Sequence, residues 1–107
     1  MEYDIDGQRH YRGLMLRAAK IDSNHAEIVR QLKMLTGISV YSVAQLKKFC
    51  DIIVGFKGKN YLFEIKKGHK SKLTPGETLF QQNWEGQVKT ITSVDEVLSE
   101  IGFKYKP

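Results

Sequence analysis

The sequence predicts an α/β domain, a mixed β-sheet flanked by helices in the order α-β-β-β-α-β-α. Two apolar runs, around Ile52–Phe56 and Tyr61–Ile65, flank a glycine-containing turn and read as a β-hairpin. Three helix starts carry capping signatures: Asn24 with Glu27, Thr74-Pro75 with Glu77, and Ser93 with Glu96. A length of 107 residues suits one modest domain with one core. We divide the chain into a basic N-terminal arm, 1–20, and a single domain, 21–107.

Residues 1–9 are polar, and Tyr11 to Lys20 suggests a short helix that Gly13 weakens. Arg9, Arg12, Arg17 and Lys20 make this arm basic, either a solvated tail or an extension that contacts a polyanion or a second copy. The first well-defined helix runs from His25 to Leu35, with Ile28, Leu32 and Leu35 as its apolar stripe and Gly37 ending it. His25 is expected to be exposed, and Glu27 to close the capping box on Asn24. Ile38–Val43 is β-branched and reads as a strand, followed by a basic connection carrying Lys47 and Lys48. After the hairpin, five of the seven residues of Lys66-Lys67-Gly68-His69-Lys70-Ser71-Lys72 are Lys or His. Pro75 opens the next helix, which Leu79, Phe80 and Trp84 should pack on the sheet; base stacking is the alternative role for Trp84. Gln87–Thr92 is the last strand, and the last helix runs to Ile101 and stops at Gly102.

The hairpin carries the chemistry. A type II′ turn at Gly58-Lys59 would set Lys57 opposite Asn60, Val54 opposite Phe63 and Asp51 opposite Lys66. Glu64 would then face Ile53, diagonal to Asp51 at about 7–8 Å, a gap that two side chains and a cation can span. Ile52, Val54, Phe56, Tyr61, Phe63 and Ile65 share one face, and Asp51, Glu64 and Lys66 share the other. Charges in an apolar strand pair need each other, a metal or water. Two carboxylates and an ammonium together suit metal-assisted phosphodiester hydrolysis: Mg²⁺ takes one or two carboxylates plus waters and phosphate oxygens. Lys66 would position or deprotonate the attacking water, or stabilise developing charge. An ordinary cross-strand Asp51–Lys66 ion pair on a surface hairpin would give the same pattern.

Asp51 followed across a hairpin by Glu64-x-Lys66 resembles the PD-(D/E)xK nuclease superfamily, and more narrowly the virus-type replication-repair nucleases (the VRR-NUC group) and their Holliday-junction-resolvase-like relatives. The resemblance extends to Asn24–Val29, to Leu73-Thr74-Pro75 and to Ser93–Glu96, together spanning roughly residues 20–102. Cys50 stands where the family usually has Pro, and Glu77 where relatives often carry Gln; Gln81 and Gln82, a turn later, are weak substitutes. The resemblance implies a restriction-endonuclease-like core and a Mg²⁺-dependent deoxyribonuclease, with Mn²⁺ able to substitute. It implies Asp51, Glu64 and the carbonyl of Ile65 as metal ligands, Lys66 as the assisting cation, and Glu27 as an outer or second-metal ligand. It also implies DNA as substrate, branched or flapped, a 5′-phosphate product, a homodimer, and work in DNA repair in a bacterial or phage-infected cell. The competing expectation is a nucleic-acid-binding or accessory protein that keeps the fold and performs no chemistry.

Charge agrees with a DNA partner. Seventeen Lys+Arg against twelve Asp+Glu give +5 and a pI near 9.4. Lys67, Lys70 and Lys72, with Lys47, Lys48 and Arg12, are the candidate phosphate contacts. The single cysteine, Cys50, excludes an internal disulfide and a cysteine-based zinc site, and its apolar neighbourhood predicts a small buried hydrophobe. No run approaches a membrane span and the start is unlike a signal peptide, so a cytoplasmic protein with no membrane partner is expected.

Overall fold

A computed structural model describes residues 22–105. The arm and Arg12 lie outside the described residues. The elements are α1 (His25–Lys33), β1 (Ile38–Ser42), β2 (Ile52–Phe56), β3 (Lys59–Ile65), α2 (Pro75–Asn83), β4 (Lys89–Ile91) and α3 (Val94–Ile101). This is the expected order. The strands form a four-stranded sheet, β1-β2-β3-β4, antiparallel except for the parallel β3–β4 pair. Among the described residues, no helix is long and apolar enough to cross a membrane.

Alternation along the strands sends Val40, Ile52, Val54, Phe63, Ile65 and Ile91 to one face. Ile28 and Leu32 of α1 and Val97, Leu98 and Ile101 of α3 close over it, forming the core. α3 is capped as expected: the Ser93 hydroxyl accepts from the Glu96 amide, and Gly102 ends the helix at φ 79°. α2 buries none of its residues. Its contacts with the sheet include a hydrogen bond from Gln81 Nε2 to Thr90 Oγ1 of β4, 2.9 Å. Its start is a complete capping box between Thr74 and Glu77.

α1 begins differently from expectation. Asn24 has helical backbone angles, φ −90° and ψ −1°, and its side chain caps nothing. Its amide instead donates to the carbonyls of Lys66 and Thr92, each at 3.0 Å. Asn24 thus straps the start of α1 to the ends of β3 and β4. No capping box forms, and Glu27 turns to Arg30 and Gln31, one turn along the exposed side of the helix.

The hairpin turn also lies one residue earlier than expected. Lys57 and Gly58 both have positive φ, 51° and 80°, and Phe56 pairs with Lys59. An X-Gly pair with both residues left-handed is a type I′ turn, whose twist matches that of the strands. The Lys57 ammonium lies 5.3 Å from the centre of the Phe56 ring. Every cross-strand partner therefore moves by two residues, giving Val54–Tyr61 and Ile52–Phe63. A shift of two leaves each side chain on its face.

Candidate active site

Just beyond the last register pair, Ile52–Phe63, the Asp51 side chain meets Glu64 rather than Lys66. The Asp51 amide donates at 3.0 Å to the carbonyl of Phe63, the residue already paired with Ile52, so the regular ladder ends at Ile52. The Asp51 carboxylate then accepts from the Ile65 amide at 2.7 Å, which fixes it over the end of β3. Glu64 is 3% exposed, and its carboxyl is within hydrogen-bonding reach of both Asp51 and Glu77. Burial, then the Asp51 and Glu77 carboxyls, pushes its pKa up to about 10. A carboxyl in these surroundings favours its protonated, neutral form.

Lys66 follows on the same face and is 7% exposed. Its Nζ lies 2.7 Å from Glu77 Oε1. Burial pulls the Lys66 pKa down, but the Glu77 carboxylate, then Glu64 and Asp22, outweigh it and the net shift is upward. Lys66 is therefore a firm ammonium, suited to stabilising negative charge and unsuited to taking a proton from water. For Glu77, burial acts upward, but the Lys66 ammonium and the Thr74 amide outweigh it and keep its carboxyl below the ordinary value.

Glu77 and His25 take places that the sequence alone does not announce. Glu77 closes the capping box and binds Lys66 with the same oxygen. The sequence shows its capping role through Thr74-Pro75, and no local pattern announces its contact with Lys66. His25, expected to be exposed, is 5% exposed. Its Nε2 lies 2.9 Å from Ser42 Oγ, and its buried Nδ1 has no hydrogen-bond partner. Burial lowers its pKa, with Asp51 and Asp22 acting in the opposite direction.

Glu27 is not part of the cluster. It is exposed, and hydrogen bonds from Arg30 and then Gln31 hold its carboxyl down at about 2. Lys47 and Lys48 are brought to the site: with Ala44, Phe49 and Thr74 they wall a cavity of about 330 Å³ that Asp51, Glu64 and Glu77 also line. Lys48 has φ 57°, a left-handed conformation that non-glycine residues seldom adopt and that recurs at functional sites. Lys67, Lys70 and Lys72 are exposed on the segment that leaves β3. Cys50 is buried and its Sγ faces the Ile52 carbonyl at 3.4 Å; burial, then Asp51, pushes the thiol up to about 12, the inert state expected of it.

Among the described residues, no three His, Cys, Asp or Glu side chains converge as a metal-binding group. The donors that remain are the two carboxylates of Asp51 and Glu64, since Glu77 is engaged by Lys66. Two facing carboxylates that share a buried site fit one hard cation completed by waters and substrate oxygens. Compared with protein-family models, curated proteins and solved structures, the chain gives no match.

Proposed function

We propose that this chain is a Mg²⁺-dependent DNA phosphodiesterase of the PD-(D/E)xK type, built on a restriction-endonuclease-like core. The observation that carries the proposal is the Asp51 and Glu64 carboxyls brought together at the ends of β2 and β3, lining a cavity walled by Lys47 and Lys48, with Lys66 just past β3 held by Glu77 of the same cavity wall. A mixed sheet reached in the order α-β-β-β-α-β-α supports it. Asp51 and Glu64, with the Ile65 carbonyl, would hold the cation. When bound, Mg²⁺ acidifies a water and neutralises charge on the scissile phosphate.

The rest falls to the chain's own groups. Glu64 must release its proton to become a ligand, and the cation's charge supplies the compensation that the metal-free site lacks. Lys66, as an ammonium, exchanges part of its contact with Glu77 for the phosphate oxygen that gains charge in the transition state. Lys47 and Lys48 hold backbone phosphates at the cavity wall, and Lys67, Lys70 and Lys72 extend the track along the strand. Glu27 has no role in this scheme. A homodimer, acting on the two strands of a junction or flap, is part of the proposal.

Cleavage tests it. Branched, flapped, linear and supercoiled DNA are incubated with Mg²⁺, Mn²⁺ or EDTA. Cutting that needs the metal and disappears in Asp51→Ala is expected; no cutting with either metal, or cutting that survives EDTA and Asp51→Ala, sinks the proposal. One observation favours a non-catalytic reading: Asp51, Glu64 and Lys66 each already have a partner within the protein. On that reading Asp51→Ala changes stability and leaves DNA binding intact.

A further inference from the structure

We infer that the groove beside the cavity binds an unpaired nucleobase stacked on Trp84, so that the DNA reaching this site is single-stranded next to the cut. The inference rests on the phosphodiesterase reading for its purpose and extends it to a substrate class. Trp84 is the residue that ends α2. It was expected to pack that helix on the sheet, yet it is 41% exposed, and Leu79 one turn earlier is 55% exposed. Solvation of this much apolar side chain is unfavourable at about 25 cal/mol per Å², so a surface kept this way suits a ligand that covers it.

The indole is held in place from below. Its ring centre lies 5.3 Å from that of Phe80 at 32°, and 6.0 Å from that of Phe49 at 66°. Phe49 meets Phe80 edge-on at 5.6 Å. Gly86 lies so close that a Cβ there would come within 2.9 Å of the indole Nε1. A rigid aromatic face costs little entropy when a base stacks on it.

The surroundings match one nucleotide. The groove holds about 230 Å³ between Lys48, Gly76, Leu79, Phe80, Asn83 and Trp84. Lys48 and Gly76 also line the cavity of the catalytic cluster. A phosphate at the shared lysine therefore puts the attached base over Trp84, with the Asn83 amide near its hydrogen-bonding edge. The wall is apolar and aromatic while its rim is cationic, which complements a base joined to an anion. A base still paired in a duplex cannot reach such a groove without leaving the stack.

Trp84 is the chain's one tryptophan, so its fluorescence reports this groove alone. The wild-type protein, in EDTA to prevent cutting, is titrated with fluorescein-labelled oligothymidylate and with a duplex of equal length. Tryptophan quenching by the single strand should track its anisotropy, and the duplex should bind with little quenching. Trp84→Ala should weaken single-strand binding by roughly 5- to 100-fold, while Trp84→Phe retains most of it. Removing the base at one position should cost as much as Trp84→Ala, and the two losses should not add. Binding without quenching, additive losses, or no binding at all overturns the inference. Metal-dependent cleavage abolished by Asp51→Ala would leave the phosphodiesterase reading standing in that case. Quenching without cleavage would retain the base site and remove the enzyme.

Discussion

Replacing Glu64 by Gln should stabilise the protein in EDTA while abolishing the proposed DNA cleavage. Gln has the shape of a protonated Glu and carries no charge. In the folded chain the Glu64 carboxyl is pushed from 4.5 up to about 10, by burial first and by Asp51 and Glu77 next. A carboxyl raised in this way contributes stability that is fully present below its unfolded value and is lost as pH climbs through the folded one. At pH 7.5 the wild type lies three units above 4.5, and at about 1.36 kcal/mol per unit the penalty approaches ~4 kcal/mol. An amide pairs less well with the neighbouring carboxyls than an acid proton does, a loss of about 1 kcal/mol. A net gain of roughly 2–3 kcal/mol remains, which raises the melting temperature by on the order of 10 °C or more in a domain of this size. At pH 5 the two proteins should differ by less than about 1 kcal/mol. The assay is thermal unfolding in EDTA from pH 5 to 8.5, repeated with Mg²⁺, which should raise the wild type alone. A gap between the proteins that fails to widen with pH, or Glu64→Gln melting lower throughout, would refute the account of this site.

Four further variants, at three positions, probe the elements around it. Asn24→Asp keeps a good helix cap but loses the donor that spans two carbonyls, so urea denaturation should show a loss of about 2–4 kcal/mol; a neutral result would mean that Asn24 acts as a cap after all. Glu77→Gln keeps an acceptor for the Thr74 amide but takes the carboxylate from Lys66, which should cost roughly 1.5–3 kcal/mol, and Glu77→Ala should lose about 1 kcal/mol more with the capping box. Equal stability of both variants with the wild type would show that the Lys66 contact is idle. Lys48→Gly relieves a left-handed backbone worth about 1–2 kcal/mol against a glycine entropy cost of about 0.5–1 kcal/mol, so stability should hold or rise slightly. DNA affinity should nevertheless fall and the salt slope should shrink by about 1; an unchanged slope would remove Lys48 from the phosphate track.

Much of the molecule was legible in the residues, and the misses share a cause. The sequence places Asp51, Glu64 and Lys66 on one sheet face and misaligns only their partners. The alternation of Ile52, Val54 and Phe56 against Tyr61, Phe63 and Ile65 settles the face, and a shift of two residues leaves that alternation intact. The turn type, which sets the register, depended on the left-handed backbone of Lys57, which no apolar pattern reveals. At Thr74 and Ser93 the capping signatures held because nothing else claimed those side chains. At Asn24 the same signature failed because two strand carbonyls, 42 and 68 residues away, took its amide.

What the sequence by itself determined was the α/β order, the apolar face of the hairpin, the buried cysteine and the three charges at one end of the strands. Those features follow from local periodicity and capping, which act over a few residues at a time. Tertiary structure alone decided that Asp51 faces Glu64, that His25 is buried, that Glu77 takes Lys66, and that Glu27 stays outside. It also left Trp84 open to solvent beside the cavity. These outcomes depend on which distant groups compete for the same hydrogen bond or the same buried space, and chain closure settles that competition rather than any local pattern.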